Sequence, residues 1–443
     1  MVAALLRYLP SALRCRLEST LQHPGFANTL WLLSDRLVRM GVGLLVGVWV
    51  ARYLGPEGYG LLSFAGSYVM LFSAIALFGL ESLVVRELLT CPDQRPQIMG
   101  TTLLMRLGTG LLALVAAVLL IPLVRPADPI ALALVAVLGS ALLFQSLEVI
   151  DLWFQHRVAS RYVVIARSSA FLFSSGAKIA VVLTGGGVVA IGVATALEAL
   201  LTAMALLLAY RLSGERASQW RWDRGWYRRL LHEAVPMVLS GVVLMIYLRI
   251  DQVMLGMLAD QAEVGFYAAA VRIAEVWYFV PTVIVSSVFP ELVKLHSSDQ
   301  VLFQQKLQRL YSLLVFLGYA VALPVTLLAP WLVQLLFGAA YRSSAPLLAV
   351  LIWAGLFANI SVARNSYLIA INSPRALFWF SICGAVSNIV LNLALIPLLG
   401  GMGAVLATLF SYWFAAHGAC YLVPAFRPVG AVITRSLLWP RFW

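Results

Sequence analysis

The chain has 443 residues, of which 62% are hydrophobic and only 11% charged, and its 31 basic against 19 acidic residues leave a formal net charge of +12. A soluble protein of this length needs about a quarter of its residues charged, so this composition leaves no room for a separate soluble domain and makes lipid the main solvent. Apolar runs of about 20 residues recur from end to end, each long enough to cross a hydrocarbon core about 30 Å thick.

In chain order, residues 1–27 carry Arg7, Arg14 and Arg16 on a broken amphipathic pattern interrupted by Pro10. They read as a basic cytoplasmic tail on the membrane surface, not as a cleavable signal. Spans are expected at about 28–51, 59–82, 98–121, 129–150, 161–183 and 187–210, and again at 231–257, 264–290, 307–330, 345–370, 375–398 and 401–423. The runs are twice too long for barrel strands and lack period-two alternation. Helices are therefore the structures that satisfy the backbone in lipid. The expected fold is an all-α polytopic membrane protein of about 12 transmembrane helices in two six-helix lobes, 28–210 and 231–423. A cytoplasmic amphipathic linker, 211–230, joins the lobes and a cytoplasmic tail, 424–443, follows them.

The basic residues set the orientation. Tails and connections on one side hold 20 of them, the other side holds Arg52, Arg125 and Arg342, and eight lie within spans. The positive-inside rule then places both termini in the cytoplasm. The linker mixes Arg211, Arg216, Arg221, Arg224, Arg228 and Arg229 with Trp220, Trp222, Trp226 and Tyr227, the composition of an interfacial helix on anionic lipid. That mixture anchors membrane proteins far more often than it binds nucleic acid, so no nucleic-acid partner is expected.

The two halves echo each other. "YLGPEGYGLLSFAGSY" follows span one and "MLADQAEVGFYAAAVRI" follows span seven; "GGGVVAIGVATALEALL" opens span six and "LGGMGAVLATLFSYWF" opens span twelve. Separations near 205 and 211 residues, with both halves starting on the same face, indicate a parallel duplication of the kind found in rocking transporters. No GxxxxGK[ST] motif is present and the five histidines lack metal spacing. No cofactor, metal or catalytic residue is expected, and the chain does not read as an enzyme. The four cysteines form no CxxC pair, which argues against a disulfide framework. Gly43 and Gly47 form a GxxxG pair suited to close helix packing.

Charges inside the spans are the functional signal, because each costs at least about 2.5 kcal/mol near mid-bilayer. Asp35 and Arg39 are spaced i,i+4 and Arg272 and Glu275 i,i+3, so each couple can pair on one helix face. Arg249 and Asp251, at i,i+2, must look in different directions. The plain reading is ion pairs stitching the bundle together. The functional reading is an anion-binding lumen, since guanidinium forks hold diphosphate bidentately. Its candidates are Arg36, Arg39, Arg249 and Arg364, then Lys178 and Arg167; Asn359, Asn365, Asn388 and Asn392 add hydrogen-bonding capacity. Asp35, Glu81, Asp251, Arg272 and Glu275 are candidates for ion coupling or ion pairing.

The blocks "VWVARYLGPEGYGLLSFAGSYVMLF" with "FGLESLVVREL", "RIDQVMLGMLADQAEVGFYAAAVRIAEVWYFVPTVIVSSVFPELVKL" and "SNIVLNLALIPLLGGMGAVLATLFSYW" resemble the polysaccharide transporter family, which includes the Wzx-type O-antigen flippases. The resemblance covers about residues 28–423. It implies a fold shared with multidrug and toxin extrusion antiporters and lipid II flippases: two lobes forming a V around a central cavity. It also implies passage of an undecaprenyl-diphosphate-linked oligosaccharide, an O-antigen or exopolysaccharide repeat unit, across the bacterial inner membrane by alternating access. Coupling to H+ or Na+, and polysaccharide polymerase and chain-length proteins as partners, belong to the same expectation. The competing readings are a multidrug or cation antiporter of the same superfamily, which prefers acidic residues in its cavity, and a non-transporting scaffold for glycan-assembly enzymes.

Overall fold

The computed structural model describes residues 24–371 and 373–438. Of the expected N-terminal surface tail, only the last four positions fall among them. The described elements are helices and short 3-10 turns, with no strand among the described residues. The longer helices are α1 (Pro24–Leu77), α2 (Glu81–Thr90), α3 (Arg95–Val124), α4 (Pro129–Gly139), α5 (Val149–His156), α6 (Ser160–Leu183) and α7 (Val188–Leu212). They continue with α8 (Arg224–Leu258), α9 (Gln261–Ala274), α10 (Phe279–Ser298), α11 (Gln300–Phe337), α12 (Ser344–Ala370), α13 (Pro374–Leu399), α14 (Gly401–Ala416) and α15 (Arg427–Leu438).

Among the described residues, ten helical stretches are long and apolar enough to cross a membrane, or eleven if the bent pair Gly401–Tyr421 and Pro424–Leu438 counts as one more. The twelve expected spans reconcile with this count at two places. Spans one and two share the single stretch Trp31–Thr90. A straight helix as long as α1, 54 residues, would extend about 81 Å, far beyond the hydrocarbon core. Gly55 divides it: its φ of 68° and ψ of 176° are open to glycine and strained for any side chain. The second place is α14, only 16 residues long, after which the chain bends by 103° into α15.

The described residues fall into two compact units. The first gathers residues up to 46, 75–116 and 136–238; the second gathers 47–74, 117–135 and 239 onward. In the first unit, Leu83, Val84 and Leu88 of α2 meet Trp153 and Phe154 of α5, together with Ile98, Leu206, Tyr210 and Leu230. The segment before α8 is strapped onto the start of α3. Arg221 N donates to Pro96 O at 2.9 Å, and Trp226 Nε1 donates to Gln94 Oε1 at 2.7 Å. Asp223 accepts from Trp226 N at 2.8 Å, an N-cap worth about 1 kcal/mol. Trp226 is thus buried and Trp222 exposed, so the aromatic residues of this connection divide between the protein and its surroundings.

In the second unit, Leu310, Leu314 and Val315 of α11 pack with Leu356 and Ile360 of α12 and with Ile433 of α15. Helix α15, beyond span twelve, is therefore built into this core. Among helices in lipid, burying a leucine gains little, and close packing of small residues carries association. The buried face of α14 fits that rule, with Gly401, Gly403, Ala404, Ala407, Thr408, Ser411 and Ala415.

Candidate functional site

Charged side chains within the expected spans are held differently in the two units. In the first unit, Arg39 on α1 reaches three groups. Its Nη1 lies 2.9 Å from Glu198 Oε1 on α7, its Nε lies 3.5 Å from Asp35 Oδ1 one turn back, and its guanidinium stands 5.0 Å from the Phe171 ring centroid. Asp35 also accepts from Ser168 Oγ at 2.6 Å. On α6, Arg167 Nη2 is shared between Asp151 Oδ2 at 2.9 Å and Glu148 Oε2 at 3.1 Å. Arg106 on α3 is 1% exposed. Its Nε and Nη2 have no hydrogen-bond partner, while the carboxylates of Glu81, Glu148 and Asp151 supply its electrostatic surroundings. Three guanidiniums thus stand among five carboxylates.

In the second unit, Asp251 and Arg364 stand apart from opposite charge. Asp251 on α8 is 5% exposed. Its Oδ2 accepts from Tyr267 OH at 2.5 Å and from Thr408 Oγ1 at 2.8 Å, while its Oδ1 has no partner. Beside it lies a cavity of about 20 Å³ lined by Gln252, Tyr267, Glu275, Tyr278, Thr408 and Tyr412 among others, enough for one water-sized occupant. Arg249 lies on the same side, with Nη1 3.4 Å from Oε1 of Glu275, a carboxylate that lines the cavity beside Asp251. Arg364 on α12 is 4% exposed. It donates to Ala415 O and to Asn365 Oδ1 at 2.9 Å, and stacks 4.3 Å from the Phe380 centroid.

The structure brings Arg39, Arg167, Asp35 and Glu81 into the first network, and Arg249, Asp251 and Glu275 around the second. Arg36 is exposed and Lys178 half-buried, while Glu81 sits exposed at the start of α2. Arg272 lies against Gly47, where its guanidinium fills the space a Cβ would take; Gly47 therefore seats an arginine. Asn388 and Asn392 are fully buried and bond each other at 2.9 Å, a contact within α13. The candidates drawn from sequence omit Arg106, Glu148, Asp151 and Glu198. Glu148 and Asp151 are spaced i,i+3 and Glu198 interrupts an otherwise apolar span, and those were the signals available.

The fold these elements make is that of an all-helical polytopic membrane protein, shared with two solved structures. It matches a lipid II flippase, MurJ, in an inward closed conformation with a TM-score of 0.73 at 14% identity, covering 93% of this chain and 90% of that one. It matches an inward-facing multidrug resistance MATE family transporter of the MOP superfamily with a TM-score of 0.70 at 16% identity, covering 92% and 99%. The family model described as polysaccharide biosynthesis protein matches residues 26–296, and the chain belongs to that family. Among curated relatives, a probable flippase of Haloferax volcanii, AglR, is 23% identical over 427 residues, spanning 88% of this chain and 82% of the relative.

Proposed function

We propose that this multi-pass membrane protein is a flippase for a lipid-linked oligosaccharide. The cargo is an undecaprenyl-diphosphate-linked repeat unit of O-antigen or exopolysaccharide, moved across the bacterial inner membrane by alternating access between an N-lobe and a C-lobe, with both termini cytoplasmic. Family membership and the relative named as a flippase support the activity. The observation that carries the choice of cargo is Arg249. It is a guanidinium within a membrane-spanning helix, 23% exposed and held by one long contact to a carboxylate that is itself 44% exposed. Such a group is free to exchange its carboxylate for a diphosphate, which accepts both arms of the fork. Arg36 is the corresponding open guanidinium of the first unit. Arg39 and Arg167 are engaged with carboxylates and serve as framework, and Arg364 anchors α12 to α14.

The reading extends to ion coupling, with Asp251 as the group that takes up H+ or Na+ through its unpartnered oxygen. A cation-exporting antiporter is the second reading, favoured by the five carboxylates that surround Arg39, Arg167 and Arg106 in the first unit. The two are separated in cells lacking the native protein. Arg249→Ala lowers surface glycan at least tenfold and lipid-linked intermediates accumulate, while Arg249→Lys retains part of the activity. Wild-type surface glycan with Arg249→Ala at normal expression overturns the diphosphate reading. Drug sensitivity that follows Glu198→Gln or Asp35→Asn with glycan unchanged establishes the antiporter.

A further inference from the structure

The two segments that echo each other in sequence are packed together inside the second unit. A Cβ on Gly60 would run into Gln261 O, and a Cβ on Gly265 would run into Pro56 O. These pairs exchange under the 205-residue shift: 56 maps to 261 and 60 to 265. The next tier obeys the same shift. Gly47 seats the Arg272 guanidinium and Ser67 Oγ donates to Gln252 Oε1, with 47 mapping to 252 and 67 to 272. Residues 47–74 and 239–274 thus meet across a local two-fold axis, backbone against backbone where only glycine fits.

Around this seam, charged side chains are spent on helix ends. Arg52 donates through Nε to Leu336 O at 2.6 Å and through Nη2 to Leu335 O, two of the last four carbonyls of α11. Arg125 Nη2 donates to Gly256 O at 2.7 Å, near the end of α8, and its guanidinium stands 4.7 Å from the Phe64 centroid. Glu263 completes the logic at a positive end, accepting from Gly401 N at 2.8 Å at the start of α14. Terminal carbonyls have no partner within their own helix, and cations are favoured at that end of the dipole. Arg52 and Arg125 are also two of the three basic residues on the face that the positive-inside rule depletes, so their retention needs a local reason.

We propose that Arg52 and Arg125 are a reversible clasp on this seam, holding residues 47–74 and 117–135 against the C-terminal ends of α8 and α11. The acceptors are helix-terminal carbonyls that water serves nearly as well once the surfaces part, and the closest contacts are glycine against backbone carbonyl, flanked by the Phe64 ring lying on Gly256. Both features favour a joint that closes firmly and opens without stranding buried polar groups.

The test measures parting of the seam directly, so it stands or falls separately from the flippase reading. In purified protein with Cys15, Cys91, Cys383 and Cys420 replaced by serine, Ser67→Cys places a thiol in the buried tier, and its alkylation rate by a small maleimide is followed. Arg52→Gln with Arg125→Gln raises that rate at least tenfold, and Gly265→Ala, which wedges the seam, raises it as well. Cys420, fully buried in the same unit, restored alone in the same background, keeps its rate. An unchanged Ser67→Cys rate in the double variant overturns the clasp, as does acceleration at both thiols, which reports loss of fold. The Arg52→Lys variant, with one ammonium for a two-armed fork, falls between wild type and glutamine.

Discussion

The two units keep charge inside a membrane by opposite means. The first lets its charges neutralise one another, with Arg39, Arg167 and Arg106 standing among Asp35, Glu81, Glu148, Asp151 and Glu198. The second surrounds its two most buried charges, Asp251 and Arg364, with dipoles. Asp251 takes hydroxyls from Tyr267 and Thr408, and Arg364 takes a backbone carbonyl, an amide oxygen and an aromatic face. A mutual network is costly to break from one side, because removing one partner leaves the others buried without compensation. A solitary charge in a shell of dipoles is already carrying its desolvation cost, and a neutral replacement relieves it. The first arrangement favours rigidity, and the second favours a group whose charge state can change.

This contrast yields opposite outcomes for one kind of substitution. Arg106→Met leaves Glu81, Glu148 and Asp151 short of positive charge and lowers stability by about 3 kcal/mol. It is measured by denaturation in detergent, and combining it with Glu148→Gln recovers part of the loss. Thr408→Val removes one of the two hydroxyls on Asp251 and costs about 1.5 kcal/mol, in the range for a hydrogen bond to a charged group. Arg39→Lys keeps the charge but loses the fork shared between Glu198 and Asp35, costing about 0.5–1 kcal/mol for a half-exposed pair. Arg364→Met, with no carboxylate left behind, changes stability by less than about 1 kcal/mol in either direction. A loss with Arg364→Met as large as that with Arg106→Met would erase the distinction between the units. An unaltered Arg106→Met protein would show that the first network is not shared.

Much of the fold was legible because lipid imposes it. Span length, helical type and the duplication follow from apolar runs and repeated punctuation, and the turn at Gly55–Pro56 was readable from its residues. Where the span count needed reconciling, the reasons were local: a single glycine inside a continuous helix, and a last expected span whose helix, α14, is too short to count alone. The site was legible only where partners are neighbours in sequence. Asp35 and Arg39 are one turn apart and were readable as a pair. Arg249 and Asp251, at i,i+2, read as facing apart, but the partners they find, Glu275 for one and Tyr267 and Thr408 for the other, line one cavity. Arg167 with Asp151, or Arg39 with Glu198, 159 residues away, had no such signal.

The sequence by itself determined that the chain lives in lipid, that it is helical, that its two halves echo each other, and that its spans carry charges. Those properties depend on composition and short-range periodicity, which transfer energies and backbone hydrogen bonding convert directly into structure. The tertiary structure alone decided which charges neutralise each other, which oxygen of Asp251 stays open, and that Gly60 and Gly265 meet backbone to backbone. Those outcomes depend on ångström-scale distances between residues far apart in the chain, and packing sets such distances only once every helix is in place.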